Sequence, residues 1–321
     1  MSLTLEQYAS YLDTRDDLTW PAPPEPKPAK AKPFLKKLPG IRAVTWNVYG
    51  TLLSISGGEF YYEHPQPFVM NLALDKVIQE FNMWSSMTRK AGQPADYLKE
   101  IYEEFLENQR MAPGLSKYPE ICVEKIWEAI LKRLLQKDYE FDAGFYGALN
   151  EFSVKLAYFY HSSLQGTCCN PGAAQVLKAV HEAGLEQGLL ADGQCFTMVQ
   201  LQRGLAVQDA DLEIDKVLPK EHRVLSHRVG ARKPSEKLFH EAMEVFRERG
   251  ITADRILHIG SRIEEDIMPA KRLGLKTALF AGDSASLKAT PEQLKTPHGR
   301  PDLLITRLDQ LIKVVQHSLE N

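Results

Sequence analysis

Three cationic side chains lie in short polar segments of the chain and could bind an anionic group. They are Arg232, Lys233 and Arg262. A guanidinium group offers N–H donors in a fixed fork and an ammonium group offers a compact charge, so both suit phosphate or carboxylate oxygens. A helix beginning after Ser261 would add the partial positive charge of its N-terminus. These residues predict an anion-binding pocket. The alternative is that Lys233 pairs with Asp266 and has only a structural role.

The segments that carry these residues follow runs typical of buried strands. Apolar runs bounded by glycine or proline alternate with helical patterns of about 10 to 15 residues, which predicts a parallel sheet with right-handed crossovers. Ligands bind beyond the carboxyl ends of the strands in such a sheet. The predicted site therefore consists of the residues after four strands, in segments 47–51, 191–193, 226–234 and 260–266.

A block of helical patterns interrupts this alternation after the first strand. Since one strand precedes the block and the others follow it, we predict that the block is an insertion. The predicted fold is a three-layer Rossmann-like α/β core with an inserted α-helical cap domain. The core would comprise residues 41–60 and 167–321, the cap residues 61–166, and an N-terminal arm residues 1–40.

The N-terminal arm differs from the rest of the chain in composition. It holds seven of the 19 prolines, and five lysines lie between Lys27 and Lys37. Proline fixes φ and lacks an N–H donor, which favours an extended backbone. Leu5, Tyr8 and Leu12 recur at helical spacing and predict one short helix. The arm is either a docking tail for an anionic partner or a segment lying along the domain surface.

Composition limits the function classes. Hydrophobic residues make up 44% and charged residues 25% of 321 residues, as in folded globular proteins. The net charge of -3 gives no overall basic surface for nucleic acid, and no apolar run reaches the ~20 residues of a membrane helix. The N-terminus shows no secretory signal, and four cysteines form no disulfide framework. We expect a cytoplasmic protein without nucleic-acid or membrane partners, of unpredicted oligomeric state.

The motifs after the strands resemble those of the haloacid dehalogenase (HAD) superfamily over about residues 41–310. The superfamily's opening turn reads Asp-x-Asp-Gly-Thr, or Asp-x-Tyr-Gly-Thr-Leu in dehalogenases, and residues 47–52 here read Asn-Val-Tyr-Gly-Thr-Leu. Residues 229–234 resemble its basic motif. Residues 260–266 resemble its final Gly-Asp-x-x-x-x-Asp motif. A helical cap inserted after the first strand is also typical of the superfamily.

The resemblance implies roles for the residues at these positions. Asn47 occupies the position of the nucleophilic aspartate, whose carboxylate attacks phosphorus or a halogen-bearing carbon and forms an ester that water cleaves. A neutral amide is a poor nucleophile. Tyr49 occupies the acid/base position, and Lys233 is the retained ammonium group. The implied substrate-binding positions are Thr51, Ala191, Asp192 and Arg232, of which Ala191 lacks the hydroxyl that the superfamily uses.

The resemblance also implies a magnesium site, which this chain alters. Ser261 replaces the first aspartate of the final motif, so Asp266 and Glu265 remain as the acidic candidates for a metal. Because Asn47 is not a carboxylate either, we expect no cofactor and disfavour magnesium. The pocket should then be more positive than in the superfamily. It should bind a small anionic molecule, phosphate or carboxylate, without a metal.

Three functions stay open, and the sequence does not decide whether the chain is an enzyme. The first is a HAD-like protein of phosphatase or dehalogenase ancestry with weak or absent activity, which as a pseudoenzyme would bind an anion. The second is a non-enzymatic binding or scaffold protein that uses the cap cleft or the arm. The third is an active hydrolase of phosphate monoesters or 2-haloacids. In that case Asn47 is an engineered or compensated change, or Asp192 or Asp266 acts as nucleophile or base.

Overall fold

A six-stranded parallel sheet positions the residues that follow its strands. The structure, a computed structural model, describes residues 2–87, 93–112 and 117–316. The strands are β1 (Ala43–Trp46), β2 (Leu53–Ile55), β3 (Thr167–Cys169), β4 (Glu186–Ala191), β5 (Arg223–Leu225), β6 (Ile256–Gly260), β7 (Lys276–Phe280) and β8 (Leu303–Ile305). The sheet order is β5-β4-β1-β6-β7-β8, and every neighbouring pair is parallel. This confirms the predicted α/β fold.

Helices cover both faces of the sheet because side chains alternate along each strand. The helices are α1 (Leu5–Asp13), α2 (Pro67–Glu80), α3 (Pro94–Arg110), α4 (Val123–Leu135), α5 (Ala143–Tyr146), α6 (Leu149–Leu164), α7 (Ala173–Glu182), α8 (Thr197–Gln208), α9 (Ile214–Val217), α10 (Ser226–Val229), α11 (Glu236–Arg247), α12 (Met268–Arg272), α13 (Pro291–Lys295) and α14 (Gln310–Gln316). Val44 and Trp46 of β1 pack in one apolar cluster with α7 and α14, whereas Ala43 packs in another with α11 and α12.

Helices α2 to α6 form the cap. Its apolar core is separate from that of the sheet and contains fully buried aromatic side chains. Trp127 lies 5.5 Å from Tyr102 and 5.0 Å from Tyr160 between ring centroids. The cap leaves the core after β2 and returns at β3, and these strands pair antiparallel. The sequence did not predict strands at β2 and β3.

The N-terminal arm packs against both the cap and the core. Helix α1 begins with a capping box between Thr4 and Gln7 and buries Tyr8 in the cap core. Farther along, Phe34 and Leu304 exchange backbone hydrogen bonds of 2.8 and 2.9 Å. This contact covers the edge strand β8. The arm therefore lies along the domain surface, the second of the two interpretations above. None of the helices in residues 2–87, 93–112 and 117–316 has both the length and the hydropathy of a membrane-spanning helix.

Candidate functional site

The side chain of Asn47 lies at the carboxyl end of the central strand β1 and is 4% exposed. Its Nδ2 donates a hydrogen bond of 2.9 Å to the backbone oxygen of Tyr49. Its Oδ1 accepts one of 2.8 Å from Nζ of Lys233. These two bonds fix the amide at the position where the resemblance places a nucleophile.

Lys233 also pairs with Asp266, and both side chains are buried. The second carboxylate oxygen of Asp266 accepts a hydrogen bond of 3.0 Å from the backbone N–H of Arg262. Although burial opposes the shift, Lys233 and then His258 lower the pKa of Asp266 below its usual value. Asp266 is therefore a buried carboxylate whose two oxygens are both engaged. The proposed structural pairing of Lys233 and Asp266 is present in this arrangement.

The hydroxyl of Tyr49 points towards helix α8 rather than towards Lys233. It lies 2.9 Å from Oγ1 of Thr197 and donates a hydrogen bond of 2.7 Å to Oε1 of Gln200. Burial raises the pKa of Tyr49 well above its usual value. This geometry does not support the acid/base role implied for Tyr49, because the proton is held by α8 and is costly to remove.

Three of the residues at motif positions are buried and do not line the cavity between the cap and the ends of the strands. Ala191 belongs to the apolar cluster of the sheet, and the hydroxyls of Thr51 and Ser261 have no hydrogen-bond partner among the described residues. Ser261 lies behind Gly50, where an added Cβ atom would stand 2.7 Å from the Ser261 hydroxyl oxygen. Gly50 also has a φ of +84°, which favours glycine. Thr51 and Ala191, which the resemblance implies as substrate-binding positions, therefore do not line this cavity.

A cavity opens between the cap and the carboxyl ends of the strands, and its lining is not predominantly positive. Four carboxylates and three cations line it, and its being more positive than the pockets of the superfamily stays a prediction. Two of the carboxylates, Glu59 and Glu120, come from the segment that leaves the core and from the cap, where no motif indicated them. The charged lining residues are Glu59, Glu120, Asp192, Arg232, Lys233, Arg262 and Glu265.

Glu120 is held at the cavity by groups from three segments and is 9% exposed. Its Oε1 accepts hydrogen bonds from the Tyr62 hydroxyl at 2.5 Å, the Ile121 backbone N–H at 3.0 Å and Nε2 of Gln194 at 3.1 Å. Burial, and then the charge of Asp192, raises the pKa of Glu120. Sequence reasoning missed Glu120, Tyr62 and Gln194, because their approach depends on how the cap packs on the core.

Arg232 lies among the carboxylates of the cavity. Although burial opposes the shift, Asp192, Glu120 and Glu265 contribute to raising the pKa of its guanidinium group. Its backbone N–H donates a hydrogen bond of 3.0 Å to the carbonyl of Tyr118, which joins the core to the cap. Asp192 accepts a hydrogen bond of 2.8 Å from the backbone N–H of Lys233. The predicted site residues Asn47, Tyr49, Asp192, Arg232, Lys233 and Glu265 thus all line one cavity.

The residues present do not fit a magnesium ion. Mg²⁺ needs near-octahedral oxygen ligands that include one or two available carboxylates. Both oxygens of Asp266 accept hydrogen bonds from protein donors, and Ser261 lies behind Gly50. In the described part of the chain, no group of three histidine, cysteine or acidic side chains could hold a metal ion. Asp266 and Glu265 therefore do not form the metal site for which they were candidates.

The fold and the position of the site define a Rossmann-like α/β protein with a helical cap, whose cavity lies where the strands of the sheet end. Residues 230–311 match the family model described as HAD-hydrolase-like. The 2-haloacid dehalogenase from Pseudomonas syringae pv. tomato DC3000 has a similar structure. Its TM-score is 0.51 at 15% identity, over 86% of this chain and 99% of that one. Residues 230–311 are therefore similar to the HAD-hydrolase-like family, and the chain shares its fold with the 2-haloacid dehalogenase.

Two curated relatives are similar over part of the chain. The glyceraldehyde 3-phosphate phosphatase of Pyrococcus abyssi is 34% identical over 110 residues, which are 34% of this chain and 41% of the relative. That of Pyrococcus furiosus is 29% identical over 147 residues, which are 46% of this chain and 54% of the relative. The chain thus spans about half the length of the curated relatives it matches.

Proposed function

We propose that this protein is a pseudoenzyme of the superfamily, which binds a small charged molecule between cap and core without hydrolysing it. The observation that carries this proposal is the amide of Asn47 at the end of β1. Its oxygen accepts a hydrogen bond from Lys233. An amide is neutral, and attack through it would give no ester of the kind that a carboxylate forms. The absence of the nucleophile, rather than a distortion of the fold, removes the covalent step.

The surrounding groups do not replace the missing chemistry. The buried Tyr49 hydroxyl is held by Thr197 and Gln200, and Asp266 is engaged by Lys233 and the Arg262 backbone. A general acid or base must reach the reacting group and change its protonation state near the working pH. Neither side chain meets both conditions. The cavity itself is retained, which supports binding as the remaining function.

Asp192 supports a second candidate function, that of an active hydrolase. Its carboxylate lines the cavity directly after β4, and within the described residues it accepts a hydrogen bond from the Lys233 backbone N–H. A carboxylate in that position could attack a bound ester or activate water. This candidate predicts turnover that depends on Asp192.

We also propose that the protein acts in the cytoplasm. The cysteines Cys122, Cys168, Cys169 and Cys195 are free thiols. Free thiols are typical of a reducing compartment.

The test is a hydrolysis panel with three proteins. The unaltered protein, Asn47→Asp and Asp192→Ala are assayed with phosphate monoesters and 2-haloacids, with and without Mg²⁺. The pseudoenzyme proposal expects no turnover above background from the unaltered protein or from Asp192→Ala. Turnover by the unaltered protein that is lost in Asp192→Ala would establish the hydrolase instead. Turnover gained only in Asn47→Asp would show that the amide alone blocks the reaction.

A further inference from the structure

The side of the cavity around Arg232 has more carboxylates than cations. Lys233 is already paired with Asp266, which leaves it no unbalanced charge for a ligand. Arg232 lies among three carboxylates, those of Asp192, Glu120 and Glu265. One guanidinium group cannot neutralise three carboxylates. This side of the cavity therefore carries an excess of negative charge.

A positive charge remains at Arg262. The side chain is 9% exposed and lines the cavity. Its Nη2 donates a hydrogen bond of 3.3 Å to the Gly58 carbonyl, and its Nε has no hydrogen-bond partner among the described residues. The nearby Glu59 forms an ion pair with Lys288. A buried N–H donor without a partner is costly unless a ligand accepts its hydrogen bond.

Aromatic rings lie beside the excess carboxylates. Tyr62 donates its hydroxyl hydrogen bond to Glu120, and the rings of Phe60 and Tyr62 pack edge to face at 5.2 Å. Both rings line the cavity. Carboxylates and aromatic faces together favour an ammonium group.

We propose that the cavity binds a small zwitterion, with its ammonium group against Glu120 and Asp192 and its oxyanion group on Arg262. This inference rests on the proposed function, since it assigns the ligand class of the same cavity. A phosphate group without the ammonium group would meet the excess carboxylates unshielded, and like charges would weaken its binding. Glu120 is then the residue that selects the ligand.

The test compares three probes by isothermal titration calorimetry. The first, 2-aminoethylphosphonate, carries both charges. Ethylphosphonate carries the anion alone, and ethylamine carries the cation alone. A carbon–phosphorus bond is not an ester, so binding is read independently of any hydrolase activity. We expect the zwitterion to bind about tenfold or more tightly than either single-charge probe, as two charge-assisted contacts predict. Equal or tighter binding of ethylphosphonate, or no binding of any probe, would overturn the proposal.

Variants assign the two ends of the ligand. Glu120→Gln should lose about tenfold in affinity for the zwitterion but retain its affinity for ethylphosphonate. Arg262→Gln should weaken the binding of both phosphonates. Glu128→Gln is the matched control, because Glu128 is a cap residue that pairs with Lys132 outside the cavity, and it should change neither affinity. If Glu120→Gln binds the zwitterion as the unaltered protein does, while its melting temperature shows a folded protein, Glu120 does not select the ligand.

The two proposals can fail separately. Hydrolysis of phosphate esters by the unaltered protein would contradict the pseudoenzyme, but the preference among the phosphonates would still be measured. A missing preference would contradict the zwitterion and leave the pseudoenzyme standing.

Discussion

The ammonium group of Lys233 lies between the amide oxygen of Asn47, at 2.8 Å, and the buried carboxylate of Asp266. Asn47 follows β1, Lys233 lies in the loop before α11, and Asp266 lies in the helical turn Ile263–Ile267 that follows β6. All three are almost completely buried. The same ammonium group of Lys233 therefore belongs to the candidate site and stabilises the buried carboxylate of the core.

We expect Lys233→Met to lower the free energy of unfolding by about 3 to 5 kcal/mol at neutral pH, because it leaves the Asp266 carboxylate buried without its cation. Lys233 lowers the pKa of Asp266, so this stabilisation is present above the usual aspartate pKa and is lost as the pH falls. The difference between the two proteins should therefore shrink in acid. Urea denaturation at several pH values measures it. The surface change Lys178→Met is the control and should alter the free energy of unfolding by no more than about 0.5 kcal/mol. A loss below about 1 kcal/mol in Lys233→Met at neutral pH would contradict the buried pairing.

His161 gives the protein a pH-dependent stability. Its ring is 2% exposed and lies 4.7 Å from that of Phe60 and 5.4 Å from that of Phe196. Burial lowers the pKa of His161 to about 3. Below its usual pKa of ~6.5 the unfolded chain takes up a proton that the folded chain excludes, which costs up to ~1.4 kcal/mol per pH unit.

His161→Phe keeps an aromatic ring. We expect its free energy of unfolding, relative to that of the unaltered protein, to rise by roughly 2 to 3 kcal/mol when the pH is lowered from 7.5 to 4.5. Chemical denaturation at the two pH values measures this difference, and the comparison at pH 7.5 serves as the control. A difference that does not change with pH would show that His161 is not held neutral by burial.

Tyr8 tests whether the N-terminal arm is part of the folded core. Its ring is fully buried in the cap cluster, and its hydroxyl has no partner among the described residues. Tyr8→Ala should cost about 3 to 5 kcal/mol in the free energy of unfolding, as large-to-small changes of buried aromatic residues do. Tyr8→Phe is the matched control and should cost less than about 1 kcal/mol. Similar small losses in both would mean that α1 does not stabilise the cap.

Magnesium should have no specific effect on the protein. Asp266 is fully engaged and Ser261 is not a carboxylate, so neither added Mg²⁺ nor a chelator should move the melting temperature. Differential scanning fluorimetry measures this, with Ca²⁺ as the ionic control. A rise with Mg²⁺ that Asp266→Asn abolishes would contradict the absence of a metal site.

The fold and half of the site could be predicted from the sequence, because the residue patterns that indicate them lie within short segments of the chain. Apolar β-branched runs and glycine stops predicted the strands, and the ends of parallel strands necessarily meet. Asn47, Asp192 and Lys233 were therefore expected together, and all three line the cavity.

The remaining half of the site depends on contacts that are distant in sequence. Glu120 reaches the cavity because residues near Tyr118 pair with the backbone beside Arg232. The direction of the Tyr49 side chain depends on Thr197 in helix α8. Neither contact has a periodic or motif signal. The motifs therefore include the cations of the cavity but omit the carboxylates of Glu59 and Glu120.

The most direct test of the central claim is a single-turnover measurement on the unaltered protein. The protein is mixed in excess over a small phosphate monoester, with and without Mg²⁺, and released phosphate is followed over time. Because Asn47 cannot form the ester intermediate, we predict release at the rate of the buffer alone. Release faster than in buffer, in proportion to the protein concentration, would contradict the assignment of this chain as a binding protein without hydrolase activity.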